Sequence, residues 1–372
     1  MTAARLESGI EALAAIHASD RRLGVWEVAV EEREGSPFVS GAVSEPAALR
    51  DVESLAREAN AGVAVELLPA GGPGAAIRGI AHRSLAHLRA EPRHAAELVS
   101  QMILGEEALV LREVGEWLQV QTGDRYVAWV HRRSLVRDSP ADSHEFRARL
   151  FEGRPPPGRW VVTARGARAV AEPAPYAAPV ADLVQGGIVE VPEIRGRFVR
   201  LVLPDGETGW VGRGDAVPAE RLFERFTPSG RAILDHGAQF LGLPYLWGGT
   251  SEKGFDCSGF VQRLYGLHGF RLPRDSDQQA ACGEPVEAGP DGSGIADGDL
   301  AFFAETPGGR ATHVGILAAG GRMLHSSTGR NGVAWDSLFP STQGYDEIGA
   351  RLGAMLSAVR RALVPPADPA SS

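Results

Sequence analysis

The chain has 372 residues, 44% apolar and 23% charged, with a formal net charge of −9. These values sit near globular averages and exclude wholesale disorder, while the length calls for several compact units. No block of like positive charges offers a nucleic-acid face, and no run reaches the ~18 apolar residues of a membrane-spanning helix. Two cysteines, Cys257 and Cys282, are too few for a disulfide framework or a four-thiolate zinc site. Glu7, Glu11 and His17 interrupt the first twenty residues, so no signal-type apolar stretch is seen. A cytoplasmic location is expected, with export left open.

Residues 1–75 read as a small α+β accessory unit. Ile10, Leu13, Ala14 and Ile16 have helical spacing, and Val25 to Val30 alternate as a strand. After a turn at Glu34-Gly35-Ser36-Pro37 come a second strand from Phe38 to Val43, an amphipathic helix from Pro46 to about Glu58, and a strand from Val63 to Leu67. Gly71-Gly72-Pro73-Gly74 ends the unit. It holds no catalytic constellation.

Residues 79–137 and 158–218 form an internal repeat offset by 81 positions. Gly105 matches Gly186, Gly115-Glu116-Trp117 matches Gly196-Arg197-Phe198, and Trp129-Val130 matches Trp210-Val211. Short alternating strands separated by turn residues, such as the hairpin signal Asp205-Gly206, imply a small barrel in each copy. Trp117, Trp129, Trp160 and Trp210 are expected in cores, and His82, His87 and His94 on solvated faces. Pro155-Pro156-Pro157 lies between the copies.

Residues 225–364 alternate helices with glycine-punctuated strands, and 365–372 read as a tail. Asp256-Cys257-Ser258 precedes a helical spacing of Phe260, Val261, Leu264 and Tyr265, which puts Cys257 in a first turn. Free backbone N–H groups and the positive helix end there favour a thiolate. Cys282 is read as a small buried hydrophobe. Further on, His313-Val314-Gly315-Ile316-Leu317 and Arg322-Met323-Leu324-His325-Ser326 read as a hairpin. Symmetry about Ala319 would set His313 directly opposite His325, both on one face. One imidazole can then deprotonate the thiol while the other orients it. A pair of structural histidines is the bland alternative, and the spacing matches no zinc pattern.

The stretch from about 241 to 327 resembles the NlpC-type cysteine peptidases, which have a papain-like core and cut peptidoglycan stem peptides. The resemblance is carried by Tyr245-x-Trp247-Gly248-Gly249, Asp256-Cys257-Ser258-Gly259, Leu272-Pro273-Arg274-Asp275-Ser276, Gly298-Asp299-Leu300, His313-Val314-Gly315-Ile316 and Met323-Leu324-His325-Ser326. The repeats resemble bacterial SH3-like domains. Together they look like the γ-D-glutamyl-L-diamino acid endopeptidases that recycle murein peptides. The fold implied is multidomain α+β: a small N-terminal unit, two SH3-like β-barrels and a papain-like peptidase domain.

The resemblance also implies roles. Cys257 would be the nucleophile, His313 the base and His325 the orienting third member, with Tyr245 beside the oxyanion. Asp256, Ser258 and Ser276 would hold the L-Ala-γ-D-Glu portion, with Trp247 as a pocket wall. Asp275 would receive the free amine of L-Ala, although helix capping explains an Asp there equally well. Tyr126 of the first SH3-like domain is the candidate to close that subsite, and Glu97, with Glu106 and Glu107 as rivals, could add a carboxylate. The expected partner is a murein-derived peptide, with diaminopimelate or lysine as the diamino acid and the oligomeric state left open. No metal or organic cofactor is required. The alternatives are an exported hydrolase of intact wall, a non-catalytic binding protein, and an amidase or acyl transferase on the same fold.

Overall fold

The computed structural model describes residues 3–70, 75–153, 156 and 158–363. The Gly71-Gly72-Pro73-Gly74 break, Pro155 and Pro157 of the joint and the 365–372 tail lie outside the described residues. The chain divides into two compact units. Met1–His82, Ala86–Glu97 and Glu106–Pro155 make the first, and Arg83–Leu85, Leu98–Gly105 and Pro156–Ser372 the second.

The first unit opens with α1 (Ala3–His17), β1 (Trp26–Arg33), β2 (Ser36–Val43), α2 (Pro46–Glu58) and β3 (Gly62–Leu67). β1 and β2 form a hairpin, and β3 returns parallel to β2 after α2. Pro46 sits in the first turn of α2, where a missing N–H leaves no bond unmade. Leu6 and Ile10 of α1 and Val52 and Ala56 of α2 close over Trp26, Val39 and Val43. Next in the chain come β4 (Ile77–Ala81), β5 (Leu85–Arg89), β6 (Leu98–Ile103), β7 (Glu107–Val114), β8 (Trp117–Thr122), β9 (Val127–His131) and β10 (Leu135–Asp138). Those of the first unit run β10-β4-β7-β8-β9-β5 in space. Helix α3 (Ser143–Glu152), capped by Asp142, lays Phe146 and Leu150 against Leu109 and Leu111.

The second unit contains the second barrel: β11 (Trp160–Val162), β12 (Arg168–Val170), β13 (Pro179–Asp182), β14 (Ile188–Arg195), β15 (Phe198–Val202), β16 (Thr208–Gly212) and β17 (Ala216–Pro218). Its spatial order is β13-β12-β16-β15-β14-β11-β17, around Val162, Leu183, Val199, Leu201 and Val211. The repeat is visible in the backbone. The β7–β8 and β14–β15 hairpins turn at Gly115 and Gly196 with φ of 58° and 59°, and β7 and β14 both carry a register shift near their middle. Trp117, Trp129 and Trp210 are buried and Trp160 half-buried; His87 and His94 are exposed, and half-buried His82 lies against the Arg133 carbonyl.

The same unit continues through α4 (Leu222–Arg225), α5 (Gly230–Gly237), β18 (Thr250–Ser251), β19 (Gly254–Phe255), α6 (Cys257–Leu267) and α7 (Ser276–Gln279). A sheet follows, built from β20 (Glu284–Pro285), β21 (Asp299–Phe303), β22 (His313–Leu317), β23 (Arg322–Ser327) and β24 (Gly332–Ser337), with α8 (Glu347–Met355) preceding β25 (Leu356–Arg361). Spatial order is β20-β25-β21-β22-β23-β24, with every pairing antiparallel. Alternation splits the residues of β21 between two cores. Leu300 and Phe302 pack with Phe260, Val261 and Leu264 of α6, while Ala301 and Phe303 pack with Leu352 and Met355 around α8. This α+β arrangement fixes the start of α6 beside β22 and β23. Glu252 ties the second barrel to it, accepting the Gln185 and Gly166 N–H groups at 3.1 and 3.2 Å.

Candidate active site

Cys257 is the first residue of α6. Asp256 is the N-cap, accepting the Gly259 N–H at 2.6 Å and the Gly248 N–H at 2.9 Å. Gly259 is required by close approach: a Cβ there would stand 2.2 Å from the Gly249 carbonyl oxygen. Gly259 therefore lets the helix start seat against the Trp247-Gly248-Gly249 turn.

The β22–β23 ladder runs only through Ile316↔Leu324 and Leu317↔Met323. The hairpin is thus centred on Gly320, not Ala319 as the sequence suggested. Ala318 and Arg322 close it, and Gly320 and Gly321 both take positive φ, 84° and 88°, which lengthens the turn on the far side of Ala319. Continuing the register places His325 opposite Gly315, where an added Cβ would come within 3.0 Å of the His325 Cβ. His313 is therefore diagonal to His325 rather than opposite. The shift is two positions in pairing, so both side chains keep the same face. The rings meet, with His313 Nε2 2.7 Å from His325 Nδ1.

The Cys257 sulfur receives the backbone N–H of Val314, next to His313, and that of Ser258. The thiolate expected from the helix start is not what the site favours. Burial, then the negative charge of Asp256, push the Cys257 thiol up to about 12, outweighing those two N–H groups. Burial, with the neighbouring His325, depresses His313 to about 3. The resting pair is a neutral thiol and a neutral imidazole. Tyr245 is half-buried and feels Cys257 and Asp256; burial first, then those charges, raise its phenol and keep it protonated as a donor.

Two features escaped the sequence reading. His325, fully buried, has its Nε2 2.8 Å from Asp336 Oδ2. Arg330 donates to the other oxygen of Asp336 through Nε at 2.9 Å and through Nη2, and Nη2 also reaches Asp346 at 2.5 Å. The second is Arg274, 1% exposed, which donates to Asp256 at 2.5 and 3.2 Å, to Ser258 Oγ at 2.9 Å and to Ser100 Oγ at 3.0 Å.

That buried pair gives Asp256 a structural task as well. Its oxygens cap α6, brace the Gly248 turn and pair with Arg274. Ser258 is also buried and engaged by Arg274. Ser276 is buried and donates to the Ala311 carbonyl at 2.9 Å. Asp275 begins α7 as the N-cap of a capping box with Gln278. Trp247 is 60% exposed, large for an aromatic with no core role. Tyr126 and Glu97 belong to the first unit: Tyr126 is buried just ahead of β9, and Glu97 is exposed. Cys282 is half-buried beside the Gln278 carbonyl.

Comparison with known proteins agrees with this geometry. Residues 242–348 match the NlpC/P60 family, and 88–135 match the bacterial dipeptidyl-peptidase Sh3 domain. A γ-D-glutamyl-L-lysine dipeptidyl-peptidase of Bacillus subtilis is 32% identical over 244 residues, covering 62% of this chain and 73% of that protein. One of the same name from Bacillus cereus is 38% identical over 149 residues, 40% of this chain, and the match spans only 43% of that relative's length. A crystal structure of an NlpC/P60 family protein from Bacillus cereus shares the fold, with a TM-score of 0.61 and 24% identity over 77% of this chain and 100% of that one. A cysteine at a helix start, two facing imidazoles and these matches lead to one assignment: the chain belongs to the NlpC/P60 family of cysteine peptidases.

Proposed function

We propose that this protein hydrolyses the amide bond between γ-D-glutamate and the following diamino acid in murein-derived peptides that begin with a free L-Ala. The observation that carries the reading is that the strand bearing His313, which meets His325 at 2.7 Å, also gives the Val314 N–H to the Cys257 sulfur, in a chain 32% identical to a γ-D-glutamyl-L-lysine dipeptidyl-peptidase. Cys257 attacks the γ-carbonyl of D-Glu. His313 takes the thiol proton as the carbon–sulfur bond forms. The oxyanion is met by backbone N–H at Cys257 and by the Tyr245 hydroxyl. His313 returns the proton to the leaving amine, and water activated by the same imidazole opens the thioester.

The substrate's free ammonium calls for a carboxylate, and Asp275 at the head of α7 supplies the charge. Trp247 walls the D-Glu side. Asp256, Ser258 and Ser276 act by holding the pocket's backbone in place. Recycling of released wall peptides is the process that such selectivity suits.

The test compares L-Ala-γ-D-Glu-meso-diaminopimelate, its lysine analogue, the N-acetylated forms and intact sacculi. Release of L-Ala-γ-D-Glu from the free peptides, with kcat/KM lower by about 10² or more after acetylation, supports the reading. Digestion of sacculi with no cleavage of the free tripeptides would instead make the protein a hydrolase of intact wall.

A further inference from the structure

Beyond the nucleophile and the two histidines lies a buried carboxylate, Asp336, that nothing in the sequence signature includes. We propose that Asp336, clamped by Arg330, is a positioning residue that fixes which nitrogen of each imidazole carries the proton, and so leaves His313 with its lone pair on the nitrogen that serves as base. This rests on the assignment of Cys257 and His313 as nucleophile and base.

The argument is a count of donors and acceptors. His325 and Asp336 are 0% and 2% exposed, so neither can satisfy a polar atom with bulk water. Asp336 Oδ1 receives both Nε and Nη2 of Arg330, a permanently charged donor, and Arg330 is itself held by Asp346. Burial alone would raise the Asp336 pKa, but hydrogen bonds from His325 and Arg330 outweigh it and hold the group below the usual carboxylate range. An ionised carboxylate only accepts, so the ring atom facing it, His325 Nε2 at 2.8 Å, bears hydrogen. With a single ring hydrogen, placed at Nε2, His325 has its lone pair at Nδ1. The atom 2.7 Å away, His313 Nε2, must be the donor, and the lone pair of His313 falls on Nδ1.

The strand register makes this possible. His325 pairs with Ala334 and Met323 with Asp336 across β23 and β24, so His325 and Asp336 are diagonal neighbours on one face. When His313 takes the thiol proton at Nδ1, its Nε2–H keeps donating to His325, and no other proton has to move. The wiring is therefore set before the reaction begins.

Asp336→Asn, which is nearly isosteric, inverts it. The guanidinium of Arg330 selects the amide oxygen, leaving the NH2 to face His325 Nε2. His325 must then accept there and carry hydrogen on Nδ1, His313 must accept at Nε2, and His313 Nδ1 carries hydrogen where a base is needed. We expect kcat to fall by on the order of 10³–10⁴ with KM nearly unchanged, the size associated with a wrong imidazole tautomer. Adding Arg330→Met frees the amide to turn its oxygen toward His325, and should restore about tenfold or more of the loss, which a merely structural role would not do.

A readout independent of any peptide is the ¹⁵N spectrum of the histidines, recorded with Cys282→Ala alongside the iodoacetamide alkylation rate of Cys257. Wild type should show Nε2–H on both His313 and His325, and Asp336→Asn should show Nδ1–H on both, with slowed alkylation. If Asp336→Asn leaves both tautomers unchanged and activity within about threefold, the proposal is overturned, whatever the substrate proves to be.

Discussion

Two histidine pairs of the second unit differ in what lies at their ends, and the difference bears on which of them the proposed chemistry uses. His236 Nδ1 lies 3.1 Å from His268 Nε2, much as His313 meets His325 at 2.7 Å. Burial depresses His236 and His313 alike, each to about 3, so basicity does not distinguish them. Their ends do. The His236–His268 chain ends on Gln185 Oε1 at 2.8 Å and the Thr227 carbonyl at 2.7 Å, with Phe226 stacked on His236 at 4.8 Å. Every ring nitrogen there has a neutral neighbour, and the pair joins α5 and α6 to the second barrel. The His313–His325 chain ends on a carboxylate at one side, and its strand delivers a backbone N–H to the Cys257 sulfur at the other. On the proposed mechanism, an anchored end and a reactive end make a base, and two anchored ends make a rivet.

The largest test of this contrast is a swap of truncations. His313→Ala should lower kcat by on the order of 10³ to 10⁴ while urea unfolding moves little, because a general base is lost. His236→Ala should do the reverse, leaving kcat of the folded protein within about threefold and costing roughly 1–3 kcal/mol for unpaired buried groups. Equal losses of activity in both variants would erase the distinction. Tyr245→Phe comes next. Removing one oxyanion donor should reduce kcat by about 10² with little change in KM, measured on the same tripeptide.

Acid dependence sharpens the comparison from the stability side. His236, His268 and His313 are all lowered by burial in the folded chain, whereas the unfolded chain titrates near the ordinary 6.5. Between those values the unfolded state binds protons that the folded state refuses, so stability falls as pH drops below about 6.5. Each such histidine contributes a slope of up to about 1.4 kcal/mol per pH unit. Urea titrations at falling pH should show a shallower acid slope for His236→Gln than for wild type, and an unchanged slope would mean that His236 is not held neutral. The smallest expected effect is at Cys282, where Ala should alter kcat by less than about twofold, since the half-buried thiol bonds the Gln278 carbonyl and packs at the margin of the core.

Local chemistry in the sequence located much of this. The Asp256 cap, the glycines that let α6 approach the Gly248 turn and the apolar spacing after Cys257 are short-range, and they place the sulfur at a helix start. The duplicated barrels were legible for the same reason, through turn glycines such as Gly115 and Gly196. What was missed depends on distance in the chain. Asp336 looks like any polar residue on an alternating strand, and Arg330 like any loop arginine, until β24 folds against β23. Arg274 sat inside the recognised signature, yet its pairing with Asp256 and Ser100 is tertiary. The thiol's high pKa follows from burial, which no spacing rule supplies. The turn centre moved from Ala319 to Gly320 because two successive glycines with positive φ lengthen the loop, and a pattern of alternating residues does not count loop positions.

The most direct measurement is turnover of L-Ala-γ-D-Glu-meso-diaminopimelate by Cys257→Ala beside wild type, with the acyl-enzyme sought by mass spectrometry after acid quench. Wild type should release the dipeptide and carry it as a thioester on Cys257, and the variant should do neither. Dipeptide release that persists without that sulfur would contradict the account.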